Sequence, residues 1–470
     1  MRKRTLLLAA SLTTGLLTAL PTTVASAAPA KYADDFNGDG YRDVAVAAPF
    51  AQVGSVSGAG AVVVLYGSAS GVSAAKRTVI TQNSPGVPDT AEGDDRFGIS
   101  LASGDLDRDG YADLVVGAQY ESIGSRDGVG RATVLWGGKR GLSGGTVLPQ
   151  PSTLSEWGGF SSGVSVADFD GDGKPDVTVT GQASTRLYKG PFTRTRPASH
   201  TTVSELGSTY EVAAGDLNRD GAAERIYPFA VDGDAGGDIS YFTWTGTKYV
   251  RQLLPKADGL TASVADVNGD RYGDLVLGDY ADPYSGKPAG HKGGQIYVWY
   301  GGPTGPDPAQ KPTVINQDTA GVPDTGEADD RFGAALSTGD VNGDGYADVA
   351  VGAPGEAVGS KKYAGAVTIL YGSAKGLTGK GSKTFTQNTA GIPGTVENWD
   401  GFGQSVRLVD LNRNGRADLV VGSGDEDDQR GAVTVIKGAT SGLNATGAKL
   451  ITAANLALKG SGGLGWTIGQ

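Results

Sequence analysis

Apolar residues along this chain come in short bursts. Segments such as DVAVAAP from Asp43, DLVVGAQ from Asp113, DLVLGDY from Asp274, DVAVGAP from Asp348 and DLVVGSG from Asp418 open on an acid and turn apolar at once. A second set opens on glycine: GAVVVLYG from Gly60, GRATVLWG from Gly130, GQIYVWYG from Gly294, GAVTILYG from Gly365 and GAVTVIKG from Gly431. Both kinds alternate or stay apolar over five to seven residues, as half-buried or fully buried β-strands do. Outside the first thirty residues, no long stretch has the three-and-four spacing of an amphipathic helix. The pattern predicts an all-β chain of many short strands.

A polar loop of fixed spelling stands before these bursts. DFNGDGYRD begins at Asp35, DLDRDGYAD at Asp105, DFDGDGKPD at Asp168 and DLNRDGAAE at Asp216. DVNGDRYGD at Asp266, DVNGDGYAD at Asp340 and DLNRNGRAD at Asp410 complete the series. Successive starts lie 70, 63, 48, 50, 74 and 70 residues apart. A period of about sixty is too long for a solenoid coil and suits a four-stranded propeller blade. Phe-Gly pairs precede several loops, at Phe97-Gly98, Phe332-Gly333 and Phe402-Gly403, and Gly352-Ala353-Pro354 follows one.

The ordered set of Phe-Gly, aspartate loop and Gly-Ala-Pro resembles the FG-GAP repeat of integrin α-subunit propellers, over essentially the whole chain after its first thirty residues. The resemblance implies a seven-bladed β-propeller with calcium-binding hairpin loops. The leg region, transmembrane helix and inserted domain of integrins have no counterpart expected here. The repeat is also similar to the propeller part of glycosylphosphatidylinositol-specific phospholipase D, whose chemistry belongs to a separate His-rich zinc domain. Near the C-terminus, GGLGWTIGQ from Gly462 resembles the Phe-Gly strand, with Leu464-Gly465 in the Phe-Gly place. This last strand is expected to complete the first blade and close the ring, removing an exposed sheet edge.

Each loop is a set of hard oxygen donors. Side chains at positions 1, 3, 5 and 9 and the carbonyl of position 7 converge, and glycine at position 6 permits the turn. The expected donors are Asp35, Asn37, Asp39, Tyr41 and Asp43 in the first loop, and Asp105, Asp107, Asp109, Tyr111 and Asp113 in the second. In the third they are Asp168, Asp170, Asp172, Lys174 and Asp176, and in the fourth Asp216, Asn218, Asp220, Ala222 and Glu224. Asp266, Asn268, Asp270, Tyr272 and Asp274 serve the fifth, and Asp340, Asn342, Asp344, Tyr346 and Asp348 the sixth. The seventh offers Asp410, Asn412, Asn414, Arg416 and Asp418. Oxygen donors without Cys or His select Ca²⁺ over transition metals, and Mg²⁺ prefers tighter octahedral geometry. Four to seven calcium ions are expected. Loops two and three carry four carboxylates each, the seventh only two, and the fifth has Arg271 where glycine belongs.

Composition adds the compartment. Arg2, Lys3 and Arg4, an apolar run from Leu6 to Leu20 and Ala25-Ser26-Ala27 read as a secretory signal peptide over residues 1–27. The remainder, residues 28–470, is expected to be one secreted, extracellular propeller without a membrane span. The chain has no Cys, so disulfides do not hold the fold. Its formal charge of −11 becomes −14 once the three leading basic residues are gone. Such acidity disfavours nucleic acid and anionic membranes as partners, and a monomer is expected.

Catalytic signals are thin. The two histidines, His200 and His291, lie in polar segments, and GxSxG matches at Ser143 and Ser161 lack the strand-to-helix turn of a nucleophile elbow. Three near-copies, TQNSPGVPDTAEGDDRFG from Thr81, NQDTAGVPDTGEADDRFG from Asn316 and TQNTAGIPGTVENWDGFG from Thr386, precede loops two, six and seven. They read as outer strands with their turns, or as a one-sided recognition face with Trp157 and Trp399 as sugar-stacking platforms. The function expected is a non-catalytic binding or adhesion module for an extracellular glycan or protein. The alternative is a secreted hydrolase or polysaccharide lyase.

Overall fold

Strands that are apolar on both sides need a neighbour on each face, and only stacked sheets supply that. Val44–Ala48, Asp348–Ala353 and Asp418–Ser423, for example, are buried along their whole length. The computed structural model describes residues 29–152, 154, 156–181, 185–195, 199–203, 211–228, 239–254, 259–283 and 290–470. The proposed signal peptide lies outside the described residues, as does the His200 side chain.

Among the described residues the chain forms seven antiparallel sheets, the blades of a seven-bladed β-propeller. Blade 1 comprises Val44–Ala48, Ala61–Leu65 and Arg77–Ile80, and blade 2 Phe97–Gly104, Asp113–Ala118, Arg131–Trp136 and Ser143–Val147. Blade 3 runs Gly163–Ala167, Asp176–Thr180, Thr185–Lys189 and Ser199–Val203; blade 4 runs Ala213–Gly215, Glu224–Tyr227, Ile239–Trp244 and Tyr249–Leu254. Blade 5 holds Thr261–Ala265, Asp274–Asp279, Gln295–Trp299 and Thr313–Ile315. Blade 6 holds Ala335–Gly339, Asp348–Ala353, Ala366–Leu370 and Lys383–Phe385. Blade 7 consists of Ser405–Val409, Asp418–Ser423, Ala432–Ala439 and Gly442–Thr452. Each four-stranded sheet is a meander in sequence order. Connections one-to-two and three-to-four therefore lie at one end of a blade; two-to-three and the crossing to the next blade lie at the other. The aspartate loops, all leading into second strands, share the first end.

The core is made between blades. One apolar cluster joins Val44 and Val46 of blade 1 to Val420, Val433 and Ile451 of blade 7; others join blades 1 and 2, 5 and 6, and 6 and 7 in the same way. Phe97, Phe160, Phe332 and Phe402 are fully buried at the junctions that lead into blades 2, 3, 6 and 7. Each backbone N–H donates to the residue before the glycine that opens the previous blade's third strand: Ala59, Val129, Gly293 and Ala364. A Cβ on Gly60, Gly130, Gly294 or Gly365 would collide with that phenylalanine's backbone. Likewise, a Cβ on Gly352 would strike the Gly403 carbonyl of the next blade. The glycines let backbone from adjacent blades touch, and the phenylalanine ring fills the space beside them.

At the other end of the chain, Leu464 repeats this pattern. It is fully buried, its N–H donates to the Arg430 carbonyl, and Gly465 packs on Gly422 as Gly403 does on Gly352. Beyond it, Ile468 pairs antiparallel with Val46, and the Ala47 N–H donates to the Thr467 carbonyl at 2.8 Å. The C-terminal segment thus lies on the inner side of Val44–Ala48, where a first strand lies in the other blades.

One expectation is corrected here. The near-copies from Thr81, Asn316 and Thr386 are not outer strands. The outer strands end at Ile80, Ile315 and Phe385, and the copies begin immediately after them as irregular crossings to the next blade. Their proline, glycine and acid content removes the donors and apolar alternation that a fourth strand needs.

Candidate metal centres

All seven aspartate loops share one local geometry. Position 6 has a left-handed backbone throughout: φ is 84° at Gly40, 94° at Gly110, 90° at Gly345 and 78° at Gly415. Arg271 adopts the same turn with φ 76°, so the fifth loop keeps its shape at the cost of crowding its Cβ. The position 1 carboxylate accepts the position 6 N–H, as in Gly40 to Asp35 at 2.8 Å, Gly221 to Asp216 at 3.0 Å, Arg271 to Asp266 at 2.7 Å and Gly415 to Asp410 at 2.9 Å. Position 5 accepts from position 7: Tyr41 donates to Asp39, Tyr111 to Asp109, Lys174 to Asp172, Ala222 to Asp220, Tyr272 to Asp270, Tyr346 to Asp344 and Arg416 to Asn414. At position 3, Asn37, Asn218, Asn268 and Asn342 accept the position 5 N–H at 2.8 Å.

The position 9 acid is the deepest. Asp43, Asp113, Asp176, Glu224, Asp274, Asp348 and Asp418 are all buried. Each accepts the position 2 N–H, and all but Glu224 also accept a glycine N–H at or just past the end of the third strand, as in Gly67 to Asp43 and Gly372 to Asp348, both 2.9 Å. Burial outweighs these bonds and pushes Asp43, Asp113 and Glu224 up to about 8, Asp176 and Asp348 to about 7, and Asp274 and Asp418 to about 6. A carboxylate so placed is stabilised by a cation. The donor set is oxygen throughout and fits a hard divalent ion. Asp105, Asp107 and Asp113 bring carboxylate oxygens within 4.8 Å of one another, as do Asp168, Asp170 and Asp176.

Two features escaped the sequence reading. The four-carboxylate loops are the ones reached by basic side chains. Arg194 donates to Asp107 at 2.7 Å and to Asp109 at 2.6 Å, while Lys189 meets Asp170 and Lys174 meets Asp172, both at 2.6 Å. Arg194 lies 85 residues beyond Asp109, so no local pattern announces it. The loops are also tied blade to blade. Ala112 donates to the Asp35 carbonyl, Ala223 to Asp168, Gly273 to Asp216, Ala347 to Asp266 and Ala417 to Asp340, and Ser68 donates to Leu411 across the last junction. An ion held in one loop would therefore stiffen the seam with the next blade.

An FG-GAP repeat model matches residues 33–65, 97–135, 332–370 and 402–436, and an FG-GAP-like repeat model matches 168–227. FG-GAP repeats therefore recur along this chain, over somewhat less than half of its length. The FG-GAP propeller is 29% identical to mouse phosphatidylinositol-glycan-specific phospholipase D over 201 residues, covering 43% of this chain and 22% of that protein. It is 30% identical to mouse integrin alpha-8 over 236 residues, 48% of this chain and 20% of the integrin. The match to Drosophila melanogaster integrin alpha-PS2 is also 30%, over 52% of this chain and 17% of that one. The FG-GAP propeller thus spans about a fifth of the length of these relatives.

Ser161 is buried and its hydroxyl donates to the Arg131 carbonyl at 2.7 Å, while Ser143 opens an outer strand. His291 Nε2 lies 3.2 Å from Asp318. Among the described residues that line the cavity of about 330 Å³ between the inner strands, Glu211 is the one acidic side chain. No helix among the described residues is long and apolar enough to cross a membrane.

Proposed function

We propose that this FG-GAP propeller is a secreted, calcium-loaded module that binds an extracellular glycan or protein without catalysing a reaction. Calcium is held by the seven hairpin loops, through the donors named above from Asp35 to Asp418. Its chemistry there is cross-linking: it neutralises buried carboxylates and locks loops that are already hydrogen-bonded between blades. The ligand face is the opposite one, formed by the two-to-three connections and the crossings between blades.

The observation that carries this reading is a pair of exposed tryptophans. Trp157 and Trp399 each stand three residues before a buried junction phenylalanine, and are 58% and 61% exposed. Both have left-handed backbones, φ 57° and 71°, which turn the side chain over the neighbouring hairpin. Trp399 stacks on Tyr363 at 4.0 Å with an interplanar angle of 10°, leaving its other face to solvent. Trp157 packs edge-on against Tyr120 at 5.8 Å. Exposed aromatic planes on a rigid scaffold suit stacking on sugar rings or protein side chains.

A glycan array with and without EDTA tests the reading, with Trp157→Ala and Trp399→Ala beside the native chain. Calcium-dependent capture that weakens at least tenfold in the variants, with unchanged melting temperature, is expected. Ultraviolet absorbance from new double bonds on a polysaccharide substrate would instead make the protein a lyase.

A further inference from the structure

The crossings that connect blades carry a second acidic cluster, built three times. Gln82, Asp89, Glu92 and Asp95 meet Glu121 between blades 1 and 2; Gln317, Asp324, Glu327 and Asp330 meet Glu356 between blades 5 and 6. Between blades 6 and 7 the set is Gln387, Gly394, Glu397, Asp400 and Glu426. In all three, the glutamine Nε2 donates to the glutamate from the two-to-three connection, at 2.5, 2.6 and 2.6 Å. In all three, the aspartate three residues after the crossing glutamate (Asp95, Asp330 or Asp400) accepts that glutamate's N–H at 2.6 Å. The glutamines are 3%, 2% and 5% exposed, yet Oε1 of each is buried with no hydrogen-bond partner. A buried amide oxygen left unpaired is destabilising, and here it recurs at the same position in every copy.

The copies differ in one informative way. Between blades 1 and 2 the protein supplies its own cation: Arg131 forms an ion pair with Asp89 and lies 3.9 Å from Glu121. The residue at that place in blade 6 is Ala366. There Asp324, Glu327 and Glu356 bring carboxylate oxygens within 4.8 Å of one another. Among the described residues no basic side chain forms an ion pair with these three or with Asp330. The residue ahead of the third-strand glycine is Ala59 and Ala364 at the other two junctions but Gly293 here. A Cβ on Gly293 would lie 2.6 Å from the Glu327 carbonyl oxygen and 3.2 Å from both Asp330 Oδ2 and Gln317 Oε1. The unpaired amide oxygen and a second carboxylate thus converge on a spot that this junction alone keeps free of a side chain.

We propose that Asp324, Glu327, Asp330, Glu356 and Gln317 Oε1 bind a divalent calcium ion at the junction of blades 5 and 6, on the face opposite the hairpin loops. The all-oxygen donor set from two segments suits Ca²⁺. The ion occupies the role that the Arg131 guanidinium fills at the first junction. It joins the crossing to the next blade, and it is independent of the hairpin-loop ions and of the ligand proposed above.

Native mass spectrometry of the full chain, stripped with EDTA and reloaded with CaCl₂, counts the ions. Glu327→Gln, at an exposed position, is expected to bind one Ca²⁺ fewer than the native chain. Ala366→Arg, which installs the first junction's arginine, is expected to lose one ion as well, with no fall in melting temperature in EDTA. Asp344→Asn in the sixth hairpin loop lowers affinity at a different site, so its effect adds to that of Glu327→Gln. A native ion count in both Glu327→Gln and Ala366→Arg would overturn the proposal.

Discussion

Single residues carry much of the work in this propeller, and Arg271 is the clearest case. It holds a left-handed turn, φ 76°, that glycine holds in the other six loops. Its N–H still reaches Asp266 at 2.7 Å, so what the position loses is steric ease and not the hydrogen bond. Arg271→Gly is expected to stabilise the protein by about 1 kcal/mol, read from urea denaturation with an unchanged m-value; destabilisation would show that the arginine earns its place through a contact. The seven loop motifs were legible because each donor is set by spacing within nine residues. Arg194 and Arg131 were not, because each meets its partner acids only across the fold.

At the scale of the element, the aspartate loop is a preformed cage. Backbone N–H groups already fix the position 1 and position 9 carboxylates, so an ion has little ordering left to impose. EDTA is expected to lower the melting temperature markedly and CaCl₂ to restore it, because an ion that binds only the folded form adds about 2.7 kcal/mol per site at a hundred times its Kd. Scanning calorimetry with and without chelator checks this. The pH dependence in EDTA has a definite sign. Burial raises Asp43, Asp113 and Glu224 to about 8. The stability they contribute is present below the ordinary carboxylate range near 4 and is lost as pH rises through about 8. The chelated protein should therefore weaken from mildly acidic to mildly alkaline pH, and saturating calcium should flatten the trend. Urea denaturation across that range distinguishes the two.

For the whole molecule, the decisive contact is between the two ends. Leu464 and Ile468 are buried against blades 7 and 1, and backbone hydrogen bonds join Ala45 and Ala47 to Gly469 and Thr467. Removing residues 460–470 strips two large apolar side chains from the core, each worth about 2–5 kcal/mol, and uncovers the inner edge of Val44–Ala48. The melting temperature is expected to fall sharply and aggregation to rise; a change of a degree or less would show that the ring is held without this segment.

The sequence alone determined the blade count, the all-β class and the places of the seven hairpin loops, because each is written in local spacing: apolar bursts of strand length, and acids two residues apart around a left-handed turn. It also marked the phenylalanine and glycine positions without saying why they recur. Tertiary structure decided that reason, since the glycines matter only where backbone from the next blade comes to rest on them. It also decided which acids meet across a blade junction. Gln317 and Glu356 lie 39 residues apart, and nothing in either segment read separately specifies that their oxygens share one buried place.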